Sequence, residues 1–234
     1  GRLFPTRAIS SRGITMKRLL TTLIVLFAVG CSGPNSPAAT PQATTEPSPA
    51  ASQPRLVALG DSLTEGLGVE PDMAYPAQLE RRLQEAGLNW KVVNAGLSGE
   101  TSSGLRSRLD WVLKTKPDAV ILVTGANDGL RGVDPAVTEA NLDAIVTQLK
   151  SQNIKVLLGG MKAPPNFGED YAGKFEGVYQ RIADKHSVPL VPFFLEGVAR
   201  VPELNQDDGK HPTAEGYTKV VDLIFPQVKS LLGV

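Results

Sequence analysis

One serine of the chain lies where a buried strand is expected to end, and two histidines are available to activate it. The apolar run of residues 55–60 stops at Gly60, and Ser62 follows two positions later. A serine hydroxyl is a weak nucleophile at neutral pH, so it needs a base, commonly a histidine that an acid orients. His186 and His211 are the only histidines in the sequence. These residue types predict acyl transfer through a serine.

His211 is the stronger candidate for the base. It ends the run DDGKH, in which Asp207 and Asp208 lie four and three residues before it. One helical turn would bring either carboxylate onto the imidazole, so spacing alone leaves both aspartates open. His186 ends a predicted helix, where a positive charge interacts favourably with the helix dipole. We therefore interpret His186 as a helix-terminal charge.

Acyl transfer also needs hydrogen-bond donors for the oxyanion. The segment of residues 96–99 (GLSG) lets the backbone approach a substrate closely, and Asn127 offers a side-chain amide. Ser98 in the same segment is a second candidate nucleophile. Its surroundings lack the closing glycine of the G-x-S-x-G elbow, which argues against an α/β-hydrolase.

Five β-rich runs alternate with five helical patterns from residue 55 onward. We predict strands over 55–60, 90–95, 118–124, 155–159 and 188–193, and helices over 72–86, 103–116, 134–152, 171–185 and 213–232. Alternation of this kind predicts an α/β fold, a three-layer α/β/α sandwich around a central, mainly parallel five-stranded sheet. The active site of such a sheet lies beyond the carboxyl ends of its strands, where the polar segments fall.

Four of these segments resemble, in composition and in order, the four sequence blocks of the SGNH, or GDSL, hydrolases. They are residues 60–63 (GDSL), 94–101 (NAGLSGET), 125–132 (GANDGLRG) and 208–212 (DGKHP). The resemblance extends from Arg55 to the C-terminus and is greatest to bacterial arylesterases and the thioesterase I/lysophospholipase group. One departure is an extra glycine in the second block, Gly96.

The resemblance implies a flavodoxin-like fold and a role for each matching residue. It makes Ser62 the nucleophile, His211 the base and Asp208, rather than Asp207, the orienting acid. It builds the oxyanion hole from the backbone N–H of Ser62, the backbone N–H of Gly99 and the side chain of Asn127. No cofactor is implied.

The implied activity is hydrolysis of short- to medium-chain acyl or aryl esters, and possible variants are thioesters or lysophospholipids. Rim residues that could line an apolar acyl pocket are Leu130, Met161, Pro164, Pro165, Phe167 and Tyr171; the two aromatic residues could equally pack against the following helix. A carbohydrate O-deacetylase is an alternative, although an aromatic content of 6% offers no obvious platform for sugars. A non-catalytic tethered binding module is another alternative, but it would need a blocked triad.

Composition argues against other partners and cofactors. Lys and Arg number 24 and Asp and Glu number 24, so the chain lacks the positive charge expected of a nucleic-acid-binding protein. One cysteine and two histidines make a zinc site improbable. We expect a small-molecule ester substrate, no nucleic-acid partner and no metal.

The first 31 residues predict export. A basic start at Met16 precedes the apolar run of residues 19–30, which is followed directly by Cys31. The pattern resembles the lipobox of bacterial lipoproteins, with Ala28 where leucine is commoner, and implies lipidation of Cys31; a simple secretory signal is the alternative. Ser32 after the cysteine then favours the outer membrane, and otherwise we expect a periplasmic or secreted protein.

Residues 32–54 form a segment rich in Pro, Ala, Thr and Ser, without aromatic residues and without Leu, Ile or Val. Such a segment cannot bury enough apolar surface to offset its chain entropy, so it predicts a disordered tether. We therefore expect upstream residues and a signal segment over 1–31, a disordered linker over 32–54 and a hydrolase domain over 55–234.

Overall fold

A computed structural model describes residues 52–234, and its centre is one parallel β-sheet. The strands are β1 (Arg55–Gly60), β2 (Lys91–Gly96), β3 (Ala119–Val123), β4 (Lys155–Gly159) and β5 (Leu190–Val191). They lie in the order β2-β1-β3-β4-β5, and every neighbouring pair is parallel. The chain therefore passes from β1 to β2 at one edge of the sheet and then back across β1 to β3, β4 and β5. The strand order reverses between β1 and β3, and ligands of such sheets bind at the carboxyl ends of the two strands that flank this switch point.

Helices cover both faces of the sheet. They are α1 (Ser62–Glu65), α2 (Tyr75–Glu85), α3 (Ser102–Leu113), α4 (Ala126–Leu130), α5 (Pro135–Ser151), α6 (Glu169–His186) and α7 (Ala214–Leu232). Helices α3, α5 and α6 pack side by side, and α2 packs against α7. Right-handed crossovers in opposite directions along the sheet place these two groups on opposite faces. The three-layer α/β/α architecture is confirmed.

The two central strands are buried on both faces, as their continuous apolar sequences predict. All five residues of β3 are buried, and so are the five residues of β1 after Arg55. Leu56, Leu59 and Ile121 are among the largest fully buried side chains. Each contributes roughly 1.5–3 kcal/mol through burial, so the strands that carry the switch point belong to the most stable part of the fold.

Prolines account for the clearest differences from the predicted elements. The helix predicted over 72–86 is a short 3-10 turn, Pro71–Met73, followed by extended backbone at Ala74 and then α2. Pro76 lacks a backbone N–H and fits only the first turn of a helix, so α2 begins beside it. The strand predicted over 188–193 is reduced to the two residues of β5, because Pro189 and Pro192 cannot donate to a ladder.

The predicted signal region and Cys31 lie outside the described residues, as does the linker up to residue 51. The described backbone begins at residue 52 and soon contacts the sheet, because the Pro54 carbonyl accepts a hydrogen bond of 2.9 Å from the N–H of Lys91. No helix within residues 52–234 combines the length and the apolar character needed to cross a membrane.

Candidate active site

Ser62 is the first residue of α1, a single helical turn that starts directly beyond β1. Asp61 caps the turn, its carboxylate accepting the N–H of Leu63 at 3.0 Å. The carbonyl of Ser62 accepts the N–H of Gly66 at 3.0 Å, which closes the turn. A first helical residue has no intrahelical partner for its own N–H, so the Ser62 N–H is free to bind an anion.

The structure brings Ser62, His211 and Asp208 into one hydrogen-bonded chain. His211 Nε2 lies 2.9 Å from Ser62 Oγ, and His211 Nδ1 lies 2.5 Å from Asp208 Oδ2. Of the two aspartates that spacing allowed, Asp208 therefore contacts the imidazole. Its other oxygen accepts the backbone N–H groups of His211 at 3.0 Å and Lys210 at 2.9 Å.

These contacts hold the pKa of the Asp208 carboxyl well below its usual range. The backbone N–H of His211 is the largest cause, followed by the His211 ring and the backbone N–H of Lys210. Hydrogen bonds to the ionised form lower a carboxyl pKa. Asp208 therefore stays a carboxylate at neutral pH and favours the His211 tautomer that has its proton on Nδ1.

His211 and Asp208 belong to the segment of residues 205–212, called the histidine loop below. An isolated antiparallel bridge between Asn205 and Pro212 closes its base. The Gln206 N–H donates to the His211 carbonyl at 2.8 Å. The Gln206 side-chain amide donates to the carbonyls of Pro212 at 2.9 Å and Leu67 at 2.8 Å, which joins the loop to the segment after α1.

The predicted oxyanion donors lie on two further loops around the same cleft, after β2 and β3. Gly99 has a φ of 77°, a left-handed conformation that favours glycine. The Asn127 amide donates one hydrogen bond of 3.0 Å to the backbone carbonyl of Glu100. An amide nitrogen carries two hydrogens, so this bond orients the side chain and leaves one donor for a ligand. We call the loops after β1, β2 and β3 (residues 60–67, 96–102 and 124–132) the nucleophile side of the cleft.

Ser98, the second candidate nucleophile, is hydrogen-bonded to a carboxylate and not to a histidine. Its hydroxyl contacts Glu65, and its N–H donates to Glu65 Oε2 at 2.7 Å. Glu65 is the last residue of α1, so the bond connects the serine's helix to the loop that carries Gly99. The sequence suggested no role for Glu65, because 33 residues separate the two partners.

The extra glycine of the second block has a packing reason. A Cβ at Gly96 would lie 2.6 Å from the Cα of Glu65 and 2.7 Å from the backbone carbonyl carbon of Thr64. The backbone of α1 therefore rests directly on the end of β2. Gly96 permits this approach, while Gly99 supplies the left-handed turn.

A buried polar cluster fixes the loop that carries Asn127. The neighbouring Asp128 accepts the Ser102 N–H at 2.8 Å, the Ser102 hydroxyl at 2.5 Å and the Thr138 hydroxyl at 3.1 Å. These bonds cap α3 and tie its first residue to α4. No short spacing connects their members, so the sequence did not point to the cluster.

Burial shifts a second aspartate in the opposite direction from Asp208. Asp61 is 1% exposed, and only one of its two carboxylate oxygens has a hydrogen-bond partner. Desolvation raises the pKa of Asp61 to about 6, opposed by the Leu63 N–H and by His211. Asp61 was recognised in the sequence as part of the GDSL block but was given no role.

A cleft of about 780 Å³ opens beside Ser62 and His211. Four of the six rim residues predicted to line an acyl pocket border it, namely Leu130, Met161, Pro164 and Pro165. Phe167 is not among the lining residues; its ring packs on Tyr171 with centroids 5.2 Å apart. The aromatic pair therefore packs at the start of α6, which was the alternative interpretation.

His186 lies at the last residue of α6, where its Nε2 contacts Asp143 on α5 at 2.6 Å. It is absent from the residues that line the cleft. The position of His186 agrees with its interpretation as a structural charge at the end of a helix. Within residues 52–234 no group of three or more His, Cys, Asp or Glu side chains could hold a metal ion.

Comparison with known proteins agrees with this geometry. Residues 58–219 match the GDSL-like Lipase/Acylhydrolase family. Esterase TesA of Pseudomonas aeruginosa is 40% identical over 178 residues, which cover 76% of this chain and 89% of that protein. An arylesterase of Vibrio mimicus is 36% identical over 175 residues, covering 74% and 88%.

A solved structure extends the similarity to three dimensions. AlinE4, an SGNH-hydrolase family esterase, is 42% identical and superposes with a TM-score of 0.65 over 77% of this chain and 97% of its own. The family match covers more than half of the chain and includes all four sequence blocks. The chain therefore belongs to the GDSL-like lipase/acylhydrolase family and is a carboxylic ester hydrolase.

Proposed function

We propose that the protein is a serine esterase that hydrolyses short- to medium-chain acyl or aryl esters through an acyl-enzyme on Ser62. The observation that carries the proposal is the hydrogen-bonded chain from Ser62 Oγ through His211 to Asp208 at the edge of the cleft. Similarity to proteins named esterase and arylesterase supports the same class of substrate.

In the proposed cycle, His211 Nε2 takes the proton of Ser62 Oγ as the oxygen attacks the ester carbonyl. Asp208 stabilises the imidazolium that forms. The carbonyl oxygen becomes an oxyanion that accepts hydrogen bonds from the N–H groups of Ser62 and Gly99 and from the Asn127 amide. His211 then protonates the leaving alcohol. A water molecule, activated by the same histidine, releases the acid and restores the serine.

The cleft supports a modest acyl chain rather than a large polymer. Its apolar lining is built by Leu130 and Met161 together with Pro164 and Pro165. Small-molecule sites of 300–1,000 Å³ bury most of a drug-sized ligand, and 780 Å³ lies in this range. Lys162 borders the same space, with its ammonium 4.7 Å from the centre of the Phe193 ring.

The test is hydrolysis of p-nitrophenyl esters from acetate to palmitate by the purified protein, beside Ser62→Ala and the matched control Ser98→Ala. We expect Ser62→Ala to lose roughly 10⁴-fold or more in kcat, since the nucleophile is gone. Ser98→Ala should keep its activity within about tenfold, because it loses only hydrogen bonds to Glu65. The chain-length optimum then measures the acyl pocket.

Other results would replace the proposal. Equal activity in Ser62→Ala and the wild type would remove Ser62 from the chemistry. A wild type that is inert on every p-nitrophenyl ester but active on acetylated sugars would indicate a carbohydrate O-deacetylase. A wild type inert on both would favour a tethered binding module.

We further propose that the protein is exported and attached to a bacterial membrane through lipid on Cys31, with the outer membrane favoured. The support is the basic and apolar sequence before Cys31 and the polar segment of residues 32–54 after it. Mass spectrometry of the protein from membranes should show an acylated N-terminal cysteine, and Cys31→Ala should remain unmodified. Release of an unmodified wild-type protein into the periplasm would contradict lipid attachment.

A further inference from the structure

A single arginine, Arg108, contacts two of the three loops of the nucleophile side and the end of β2. Arg108 extends from α3 toward the carboxyl ends of β1 and β2. Its Nη2 donates to the backbone carbonyls of Gly60 at 3.2 Å and Ala95 at 2.8 Å. The same guanidinium donates to both carboxylate oxygens of Glu100, at 2.7–2.9 Å. Arg108 and Glu100 are both largely buried, with side chains that are 19% and 6% exposed, respectively.

Two of the groups that Arg108 holds are close in sequence to a proposed oxyanion donor. Gly60 is two residues before Ser62. Glu100 directly follows Gly99. The backbone carbonyl of Glu100 also accepts the amide of Asn127 at 3.0 Å. Arg108 and Glu100 thus join the loop of Ser62 to the loop of Gly99, and the Glu100 carbonyl joins the latter to Asn127.

We propose that Arg108 is a positioning residue for the oxyanion hole and acts through Glu100 and the Gly60 carbonyl. The inference rests on the proposed esterase function and adds to it a residue outside the triad and the donors. Arg108 does not border the cleft, so its effect on a substrate is indirect. It holds the donors at the spacing that an oxyanion needs and does not bind the ester itself.

The guanidinium fork is essential to this role. Through Nε and Nη2 of one planar group, Arg108 contacts a carboxylate and two carbonyls that lie in different directions. A lysine keeps the charge but has one small ammonium group, so it cannot hold all of them in the same geometry. Oxyanion donors act within a narrow distance range, and a displacement of about 1 Å can lower turnover roughly 10²-fold.

The main alternative is that the ion pair only stabilises the fold. Breaking a buried pair leaves an unpaired charge, so Arg108→Gln would lower stability in either case. The informative variants are Arg108→Lys, which retains the charge, and Glu100→Gln, which retains the backbone carbonyl that Asn127 needs. In Glu100→Gln the guanidinium keeps its two backbone carbonyls and gains an amide oxygen as acceptor, so this variant is the second test if Arg108→Lys does not fold.

The experiment measures kcat, KM and the melting temperature of the full chain with p-nitrophenyl butyrate. Variants are Arg108→Lys, Glu100→Gln and the control Arg181→Lys, which alters the ion pair with Glu139 between α5 and α6, away from the cleft. For the first two we expect folded proteins, KM within about twofold, and kcat lower by about 10- to 100-fold. The control should match the wild type.

A double-variant cycle separates positioning from general support. Asn127→Ala alone should lose about 10²–10³-fold in kcat. If Arg108 acts through the oxyanion hole, adding Arg108→Lys or Glu100→Gln should lower kcat by much less than in the wild-type background. Affinity for an alkyl boronic acid, which forms a tetrahedral anionic adduct with serine, should fall in parallel with kcat.

Unchanged kcat in folded Arg108→Lys and Glu100→Gln proteins would overturn the inference. Full additivity with Asn127→Ala would do the same. Both results require an active wild type, so they leave the proposed esterase function intact. A wild type that hydrolyses no ester, in contrast, would reject the proposed function first.

Discussion

The two sides of the cleft are held by hydrogen bonds of very different sequence separation. On the nucleophile side, the bonds from Asp128 to Ser102, from Asn127 to Glu100 and from Arg108 to Gly60 span 26, 27 and 48 residues. In the histidine loop, the bond that orients the imidazole spans three residues. The proposed oxyanion hole thus depends on contacts between distant parts of the sequence, whereas the proposed acid–base pair forms within one short loop.

The two aspartates of the site show what this difference does to their chemistry. Asp61 is enclosed by the nucleophile side, and desolvation raises its pKa to about 6. Asp208 has a side chain that is 45% exposed, and hydrogen bonds from its own loop hold its pKa well below the usual range. A local loop near solvent can therefore stabilise a carboxylate with backbone N–H groups, while a buried one with too few partners cannot.

The largest expected effect comes from removing the histidine-loop base. His211→Ala should lower kcat by about 10⁴–10⁶-fold, since nothing else in contact with Ser62 Oγ can take its proton. The matched control is His186→Ala, which removes the other histidine and should keep kcat within about twofold. Steady-state hydrolysis of p-nitrophenyl butyrate measures both. Similar losses in the two variants would show that folding, and not proton transfer, had been disturbed.

A smaller effect, on the free energy of unfolding, should distinguish Asp61 from Asp208. Between its ordinary value of 3.8 and about 6, the Asp61 carboxyl binds more protons in the folded state than in the unfolded state. Its contribution to stability therefore falls as pH rises through this window. Asp61→Asn keeps the helix cap and removes the charge, so at pH 7 it should stabilise the protein by about 2–3 kcal/mol.

Urea unfolding of the wild type and Asp61→Asn from pH 4 to pH 8 tests this expectation. The stability difference should shrink toward pH 4, where Asp61 is protonated in the folded wild type. Asp208→Asn provides the opposite case and is measured from about pH 5 down to about pH 2: the depressed pKa of Asp208 contributes stability that is fully present above the ordinary value of 3.8 and is lost as pH falls toward the lower, folded value. The same sign of pH dependence for both variants would contradict the comparison.

The smallest effect on kcat is expected from Glu65, whose exposed side chain joins α1 to the loop of Ser98 on the nucleophile side. Glu65→Gln keeps an oxygen acceptor for the Ser98 N–H but weakens a charge-assisted hydrogen bond. We expect kcat to fall by about two- to tenfold, because an exposed hydrogen bond contributes roughly 0.5–1.5 kcal/mol. Glu70→Gln, which changes a neighbouring exposed glutamate, is the control. A loss in kcat as large as that of Arg108→Lys would show that the exposed Glu65 bond and the buried Arg108 contacts affect turnover equally.

The same contrast explains which parts of the site the sequence could predict. The histidine loop and the turn after β1 are short segments, so Ser62, His211 and an aspartate next to His211 could be predicted from their patterns. Spacing left Asp207 and Asp208 open, and the family resemblance selected Asp208. The residue types suggested Asn127 and the segment of residues 96–99 as oxyanion donors, and the family resemblance selected Gly99 within that segment. Arg108, Glu65 and the Asp128 cluster were missed, because no spacing rule joins residues that meet only after the sheet has formed.

The elements of the fold also differ in how well the sequence predicted them. Apolar runs predicted β1, β3 and β4 closely, since a strand buried on both faces has a continuous apolar sequence. The one-turn helices α1 and α4 were missed because four or five residues carry no periodic signal. At β5, flanking prolines shortened an apolar run that otherwise looked like a strand.

The order of the elements along the chain also sets the order in which activity can arise. Ser62 and its proposed base are 149 residues apart, so at about 5–20 residues per second the ribosome adds His211 roughly 7–30 s after the serine. During that interval the growing chain can assemble β1, β2 and β3 with their oxyanion loops and still lack any means of activating the hydroxyl. The nascent protein is therefore catalytically silent until its last segment folds, and a product truncated before residue 211 should remain so.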